Sequence, residues 1–131
     1  MTRSSYVYGD SSALVKLAIE EPESKSLRAY VRQRHLVSSA LVRTEVIRSL
    51  LPFGADAVVR GHEVLARIEI VRINDRILRD AGELEPARLR SLDAIHLATA
   101  RALGPECKHI LCYDLKMAQA AAVMGFRVVS P

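Results

Sequence analysis

The run Tyr6-Val7-Tyr8-Gly9-Asp10-Ser11-Ser12-Ala13-Leu14-Val15-Lys16 changes its period within two residues. Tyr6 to Tyr8 is short and β-prone and stops at Gly9-Asp10. From Ser11 to Glu21 the apolar positions Leu14, Leu17 and Ala18 share one side of a helix, which Pro22 closes. A strand that feeds straight into a helix is the first half of a crossover unit, and the exchange recurs to the end of the chain.

A second helix is predicted over 23–33, with Leu27, Tyr30 and Val31 as its stripe, followed by a strand over His35 to Ser38. A third helix runs from Ser39 to Leu51 and breaks at Pro52 and Gly54. Then come a helix over 55–66, a strand over 68–73, and a helix capped by Asn74 or Asp75. Glu83 to Arg90 is a polar loop. Ser91 to Leu103 is helical and apolar nearly all round, as a buried helix is. A strand over His109 to Cys112, an Ala-rich helix over 115–124 stopped by Gly125, and a short strand at Val128-Val129 complete the series. Such alternation predicts a three-layer α/β/α domain with a mainly parallel central sheet, because parallel strands need crossover helices.

The length, 131 residues, suits one domain spanning 1–131, and a 50% hydrophobic content excludes disorder. Charges punctuate every stretch long enough to cross a bilayer, so no membrane span is expected. Met1 to Asp10 carries one Arg and no apolar core. With no secretory leader visible, the cytoplasm is the expected compartment. Cys107 and Cys112 flank His109, but zinc needs about four ligands and no second Cys/His pair exists; both cysteines read as small buried apolar residues. Nineteen Lys and Arg against fifteen Asp and Glu leave +4, carried mostly by Arg, which favours anionic partners.

Ligands of parallel sheets bind outside the carboxyl ends of the strands, so acids there carry the most information. Asp10 ends the first strand, and Asp114 follows Tyr113 in the same strand-to-helix position. Asp93 lies in the first turn of the apolar helix, and Glu45 stands mid-helix in Ala40-Leu41-Val42-Arg43-Thr44-Glu45-Val46-Ile47. Singly they read as caps, a dipole-stabilised acid and a surface acid. As a set they would repel one another unless a cation neutralised them. Hard oxygen ligands point to Mg²⁺ or Mn²⁺ and to hydrolysis of a phosphodiester.

Together, Tyr8-Gly9-Asp10-Ser11-Ser12-Ala13-Leu14-Val15-Lys16, the isolated Glu45, Leu92-Asp93-Ala94-Ile95-His96-Leu97-Ala98, and Tyr113-Asp114 with Met117-Ala118 and Ala121 resemble the PIN-domain ribonucleases. The likeness is nearest to the VapC toxins of type II VapBC toxin–antitoxin pairs, and it runs in order over essentially the whole chain. It implies a PIN-like fold in which Asp10 and Asp93 are the main metal ligands, while Glu45 and Asp114 bind through water or complete a second ion. It implies an Mg²⁺-dependent endoribonuclease toxin that cuts RNA, inhibits translation and growth, and is neutralised by a cognate VapB antitoxin. A homodimer is expected on the same ground, and Leu14, Leu17, Leu41 and Ile47 are candidates for the antitoxin groove beside their ordinary role in the core. One position departs from the pattern: many relatives carry Thr or Ser two residues before the last Asp, where this chain has Cys112, a poorer donor.

Other readings attach to single residues. His96, at i+3 from Asp93, reads as packing under or orienting that acid rather than as a ligand. Ser11 and Ser12 lack the surroundings of a nucleophile and read as capping or orienting groups. Arg43, Arg48, Arg88, Arg90 and Lys116 lie near the acids in sequence and are candidate phosphate contacts. With 5% aromatic residues and no Trp, no base-stacking platform is visible. Two other functions compete. One is a catalytically inactive PIN-like module that binds RNA or a partner. The other is an Asp-based phosphotransfer domain, for which Ser12 stands where a second Asp is wanted.

Overall fold

The structure, a computed structural model, describes residues 6–131; the reading of the first five residues as part of no leader lies outside them. Among the described residues five strands form one sheet: β1 (Tyr6–Gly9), β2 (His35–Ser39), β3 (Glu69–Val71), β4 (Cys107–Leu111) and β5 (Arg127–Val129). Their spatial order is β3-β2-β1-β4-β5 and every pairing is parallel. The expected mainly parallel sheet is thus parallel throughout. β1 is central, and the chain first steps outward through β2 and β3, then returns to β1's other side for β4 and β5. The reversal places a crevice between the carboxyl ends of β1 and β4.

Among the described residues seven α-helices complete the layers: α1 (Ser11–Ala18), α2 (Ser24–Val31), α3 (Val42–Leu50), α4 (Ala55–Arg67), α5 (Asp75–Gly82), α6 (Ser91–Ala102) and α7 (Leu115–Val123). Alternate residues of the strands serve opposite faces. Val7, Leu36 and Leu111 pack with Ala13 and Leu27 of α1 and α2, and Leu36 and Ile70 meet the cluster of α1, α3 and α4. Tyr8, Val37 and Ile110 pack with Leu97 and Ala100 of α6 and with Met117, Ala120 and Ala121 of α7. α5 packs on α6 through Ile77, Ala81, Ala94 and Ala98. Both faces of the sheet are therefore covered, as a parallel sheet requires.

Element ends depart from expectation for identifiable reasons. The first helix stops at Ala18 rather than Glu21 because Ile19 is extended and the Ser24 hydroxyl donates to the Lys16 and Ile19 carbonyls. The third helix begins at Val42, not Ser39, because Ser39 stays in the sheet opposite Val71. β4 starts two residues early, where Cys107 pairs with Tyr6 after a 3₁₀ turn at 104–106. Gly125, with φ 98°, closes α7 as predicted: the N–H of Phe126 reaches the Ala121 carbonyl. Both cysteines are free and buried, as read from the sequence. Among the described residues no helix is long and apolar enough to cross a membrane.

Candidate active site at the carboxyl edge of the sheet

Asp10 leaves β1 at the crevice. Its backbone N–H reaches the Leu111 carbonyl of β4, and its Oδ1 caps α1 by accepting the Ala13 N–H at 3.1 Å. The same oxygen accepts the Ser12 hydroxyl at 2.6 Å, so Ser12 orients the acid and is not the cap. Asp10 is only 5% exposed, and among the described residues no Lys or Arg pairs with it. Burial raises its pKa above the ordinary value of 3.8, against the opposing pull of the Ser12 and Ala13 donors and, further down, of His96 and Cys112.

Asp114 repeats the device one strand over. Its Oδ2 caps α7 through the Met117 N–H at 2.8 Å. Cys112 lies between these two acids, its thiol 3.4 Å from the Asp114 carbonyl and close enough to Asp10 for that charge to act on it. Burial first, then the Asp10 carboxylate, pushes the Cys112 thiol far above its usual range. The group in the Thr/Ser position is thus a neutral thiol against the Asp114 backbone carbonyl and near the Asp10 carboxylate.

Asp93 lies in the first turn of α6, part-buried, with Arg90 Nε 3.4 Å from its Oδ2. Asp93 and Asp114 both line an open cleft of about 1060 Å³ between the 85–90 loop and α7. Of the five cationic candidates, Arg88, Arg90 and Lys116 line this cleft; Arg43 lines a separate shallow groove with His62, and Arg48 is exposed elsewhere. Leu89, Leu115, Ala120 and Val123 give the cleft an apolar side.

Glu45 comes to the same edge from α3, and its partner differs from the sequence reading. His96 does not orient Asp93. Its Nε2 lies 2.7 Å from Glu45 Oε1, and its Nδ1 lies 2.6 Å from the Tyr8 hydroxyl. The signal was present in the sequence, since a lone His on an otherwise apolar buried helix must satisfy two nitrogens, but its partners are 51 and 88 positions away. Of the four groove candidates, Leu14 is fully buried and unavailable to a partner, whereas Leu17, Leu41 and Ile47 are partly exposed.

Among the described residues no three His, Cys, Asp or Glu side chains converge closely enough to chelate an ion unaided. Mg²⁺ asks for less, because it is commonly held by one or two carboxylates, with waters and phosphate oxygens completing its shell. The donors present suit it: hard carboxylate oxygens, one of them buried without a cation. A soft-metal site is not what the cysteines make, since both thiols are held protonated by burial, Cys107 with its pKa pushed up to about 11.

Residues 7–123 match the family model described as the PIN domain. The chain is 50% identical over 126 residues to Ribonuclease VapC46 of Mycobacterium tuberculosis, covering 95% of this chain and 97% of that protein. In fold it is similar to the crystal structure of M. tuberculosis VapC20, a sarcin-ricin loop cleaving toxin, with a TM-score of 0.76 at 16% identity over 95% and 99% of the two chains. It is likewise similar to a toxin–antitoxin complex from Klebsiella pneumoniae, with a TM-score of 0.70 at 24% identity over 95% and 96%.

Proposed function

This chain belongs to the PIN-domain family, among its VapC ribonucleases, and on that footing we propose that it is a divalent-metal-dependent endoribonuclease toxin. What supports the reading is that Asp10 and Asp114 cap the helices leaving the carboxyl ends of β1 and β4, and that Asp93 and Asp114 line one cleft with Arg88, Arg90 and Lys116. Asp10 and Asp93 would hold Mg²⁺ or Mn²⁺ directly, with Asp114 and Glu45 acting through water or a second ion. When bound, the ion supplies acidification of a water and neutralisation of the scissile phosphate.

The chain's own residues divide the remaining work. Ser12 and the α1 N-terminus donate to Asp10 and favour its carboxylate, opposing the burial that raises its pKa. Arg88 and Lys116 draw the RNA backbone into the cleft. Arg90 is tethered by Asp93 and meets a phosphate beside the acid it pairs with. The chain works in the cytoplasm as one PIN domain that forms a homodimer, restrains translation and growth by cutting RNA, and is neutralised by a VapB-type antitoxin bound over the partly exposed Leu17, Leu41 and Ile47.

Purified protein should cut RNA with Mg²⁺ or Mn²⁺ and stop with EDTA. Its expression should arrest growth, and co-expression of a VapB-type partner should relieve the arrest. Metal-independent cleavage, or full cleavage by Asp93→Asn, would overturn the metal assignment.

A further inference from the structure

We infer that His96, held from behind by Tyr8, is a positioning residue that fixes the Glu45 carboxylate at the edge of the sheet. The inference rests on the metal-nuclease reading for its consequence but on geometry for its substance.

Three elements meet in this contact. His96 is 1% exposed on α6, in a helix whose neighbouring positions Ala94, Leu97, Ala98 and Ala100 are apolar and buried. An imidazole there is costly unless both nitrogens are partnered, and both are, at 2.6 and 2.7 Å. Tyr8 is fully buried on the central strand. Its hydroxyl lies near Ser38 and Ser39 of β2 and has His96 Nδ1 as its hydrogen-bond partner. A carboxylate only accepts, so the ring proton belongs on Nε2, donated to Glu45 Oε1, and Nδ1 accepts from the Tyr8 hydroxyl.

Glu45 needs such a hold. It stands on α3 among the helices of the opposite layer, and its side chain is 20% exposed. Among the described residues no Lys or Arg pairs with it, and His96 is its partner. With Oε1 held, Oε2 is left for the site. A carboxylate on an unheld Glu would sample several rotamers, whereas a bond to a ring carried by α6 and backed by Tyr8 of β1 selects one. The Tyr8–His96 pair thus ties the fourth acid to the strand that delivers the first, Asp10, two residues after Tyr8.

The test compares the parent with His96→Phe, His96→Gln and Tyr8→Phe. Mn²⁺ binding is read from the free-ion EPR signal, RNA cleavage as separate kcat and KM, and folding by thermal melting. His96→Phe should weaken Mn²⁺ binding by about tenfold or more and lower kcat with little change in KM for RNA. His96→Gln keeps a donor toward Glu45 and an acceptor toward Tyr8, and should recover much of both. A folded His96→Phe that binds Mn²⁺ and turns over like the parent would overturn the inference. If His96→Phe does not fold, Tyr8→Phe, which loses one oxygen, decides in the same way. Long-range ¹H–¹⁵N spectra of the metal-free parent should place the His96 proton on Nε2, and Tyr8→Phe should disturb it. A proton on Nδ1 overturns the inference whatever the metal does, and a parent that binds no Mn²⁺ while showing the Nε2 proton overturns the metal reading instead.

Discussion

Ser12 donates to Asp10 Oδ1 at 2.6 Å from within the helix that this same carboxylate caps. The acid is therefore oriented by α1 while its burial opposes its charge. A side chain held this way is a cost to the empty fold and an asset to a cation, which is the balance expected of a functional carboxylate.

That balance has a pH signature. With its folded pKa above the ordinary 3.8 because of burial, Asp10 keeps a proton in the folded chain at pH values where the unfolded chain has released it. Its contribution to stability is therefore present below 3.8 and lost as pH rises through the folded value. Asp10→Asn retains a capping side chain and removes the buried charge. In EDTA at neutral pH it should melt a few degrees above the parent and show a flatter pH dependence, while RNA cleavage is lost. Ser12→Ala should move the parent's pH dependence upward. Identical melting profiles for parent and Asp10→Asn would count against the burial argument.

Asp93 and Asp114 separate charge from folding. Asn is as good a cap as Asp, so Asp114→Asn should keep the α7 cap and its melting temperature within about 2 °C, a shift worth under about 1 kcal/mol in a domain of this size. Both Asp114→Asn and Asp93→Asn should cut RNA at least about 100-fold more slowly. Single-turnover cleavage at saturating Mn²⁺ measures the loss.

The cleft cations should act on RNA without regard to its sequence. In an Asp93→Asn background that binds but does not cut, Arg88→Ala and Lys116→Ala should each weaken single-stranded RNA binding. Each should also lower the slope of log K against log salt by about 0.7. Arg48→Ala, outside the cleft, should leave the slope unchanged. Fluorescence anisotropy across a KCl series reads all three.

Cys112 and Cys107 should resist alkylation at pH 8, since burial holds both thiols protonated well above that pH. Iodoacetamide should label them only in denaturant. Cys112→Thr replaces a weak donor by a hydroxyl between Asp10 and Asp114 and should raise kcat a few-fold, with melting changed by no more than about 1 kcal/mol. A slower Cys112→Thr enzyme would show that the thiol's bulk, rather than its weak donation, suits the site.

Local order was legible because it is local. The periodicities of Leu14, Leu17 and Ala18, the Asn74 cap and the Gly125 stop act within a few residues, and each stands where the chain placed it. So do Asp10 and Asp114, since a strand-to-helix junction needs a cap whatever surrounds it. Two of the misread boundaries, Ser39 and Cys107, are residues whose state was decided by a neighbouring strand, Val71 and Tyr6 respectively.

The choice of a parallel α/β domain with acids at its strand ends thus belongs to the order of residues, through backbone periodicity and capping. The central place of β1, the convergence of Asp93 and Asp114 on one cleft, and the transfer of His96 from Asp93 to Glu45 belong to packing. No local rule brings together residues 51 and 88 positions apart. Only burial on a common sheet makes an unpartnered imidazole costly enough for Tyr8 and Glu45 to be the ones that meet it.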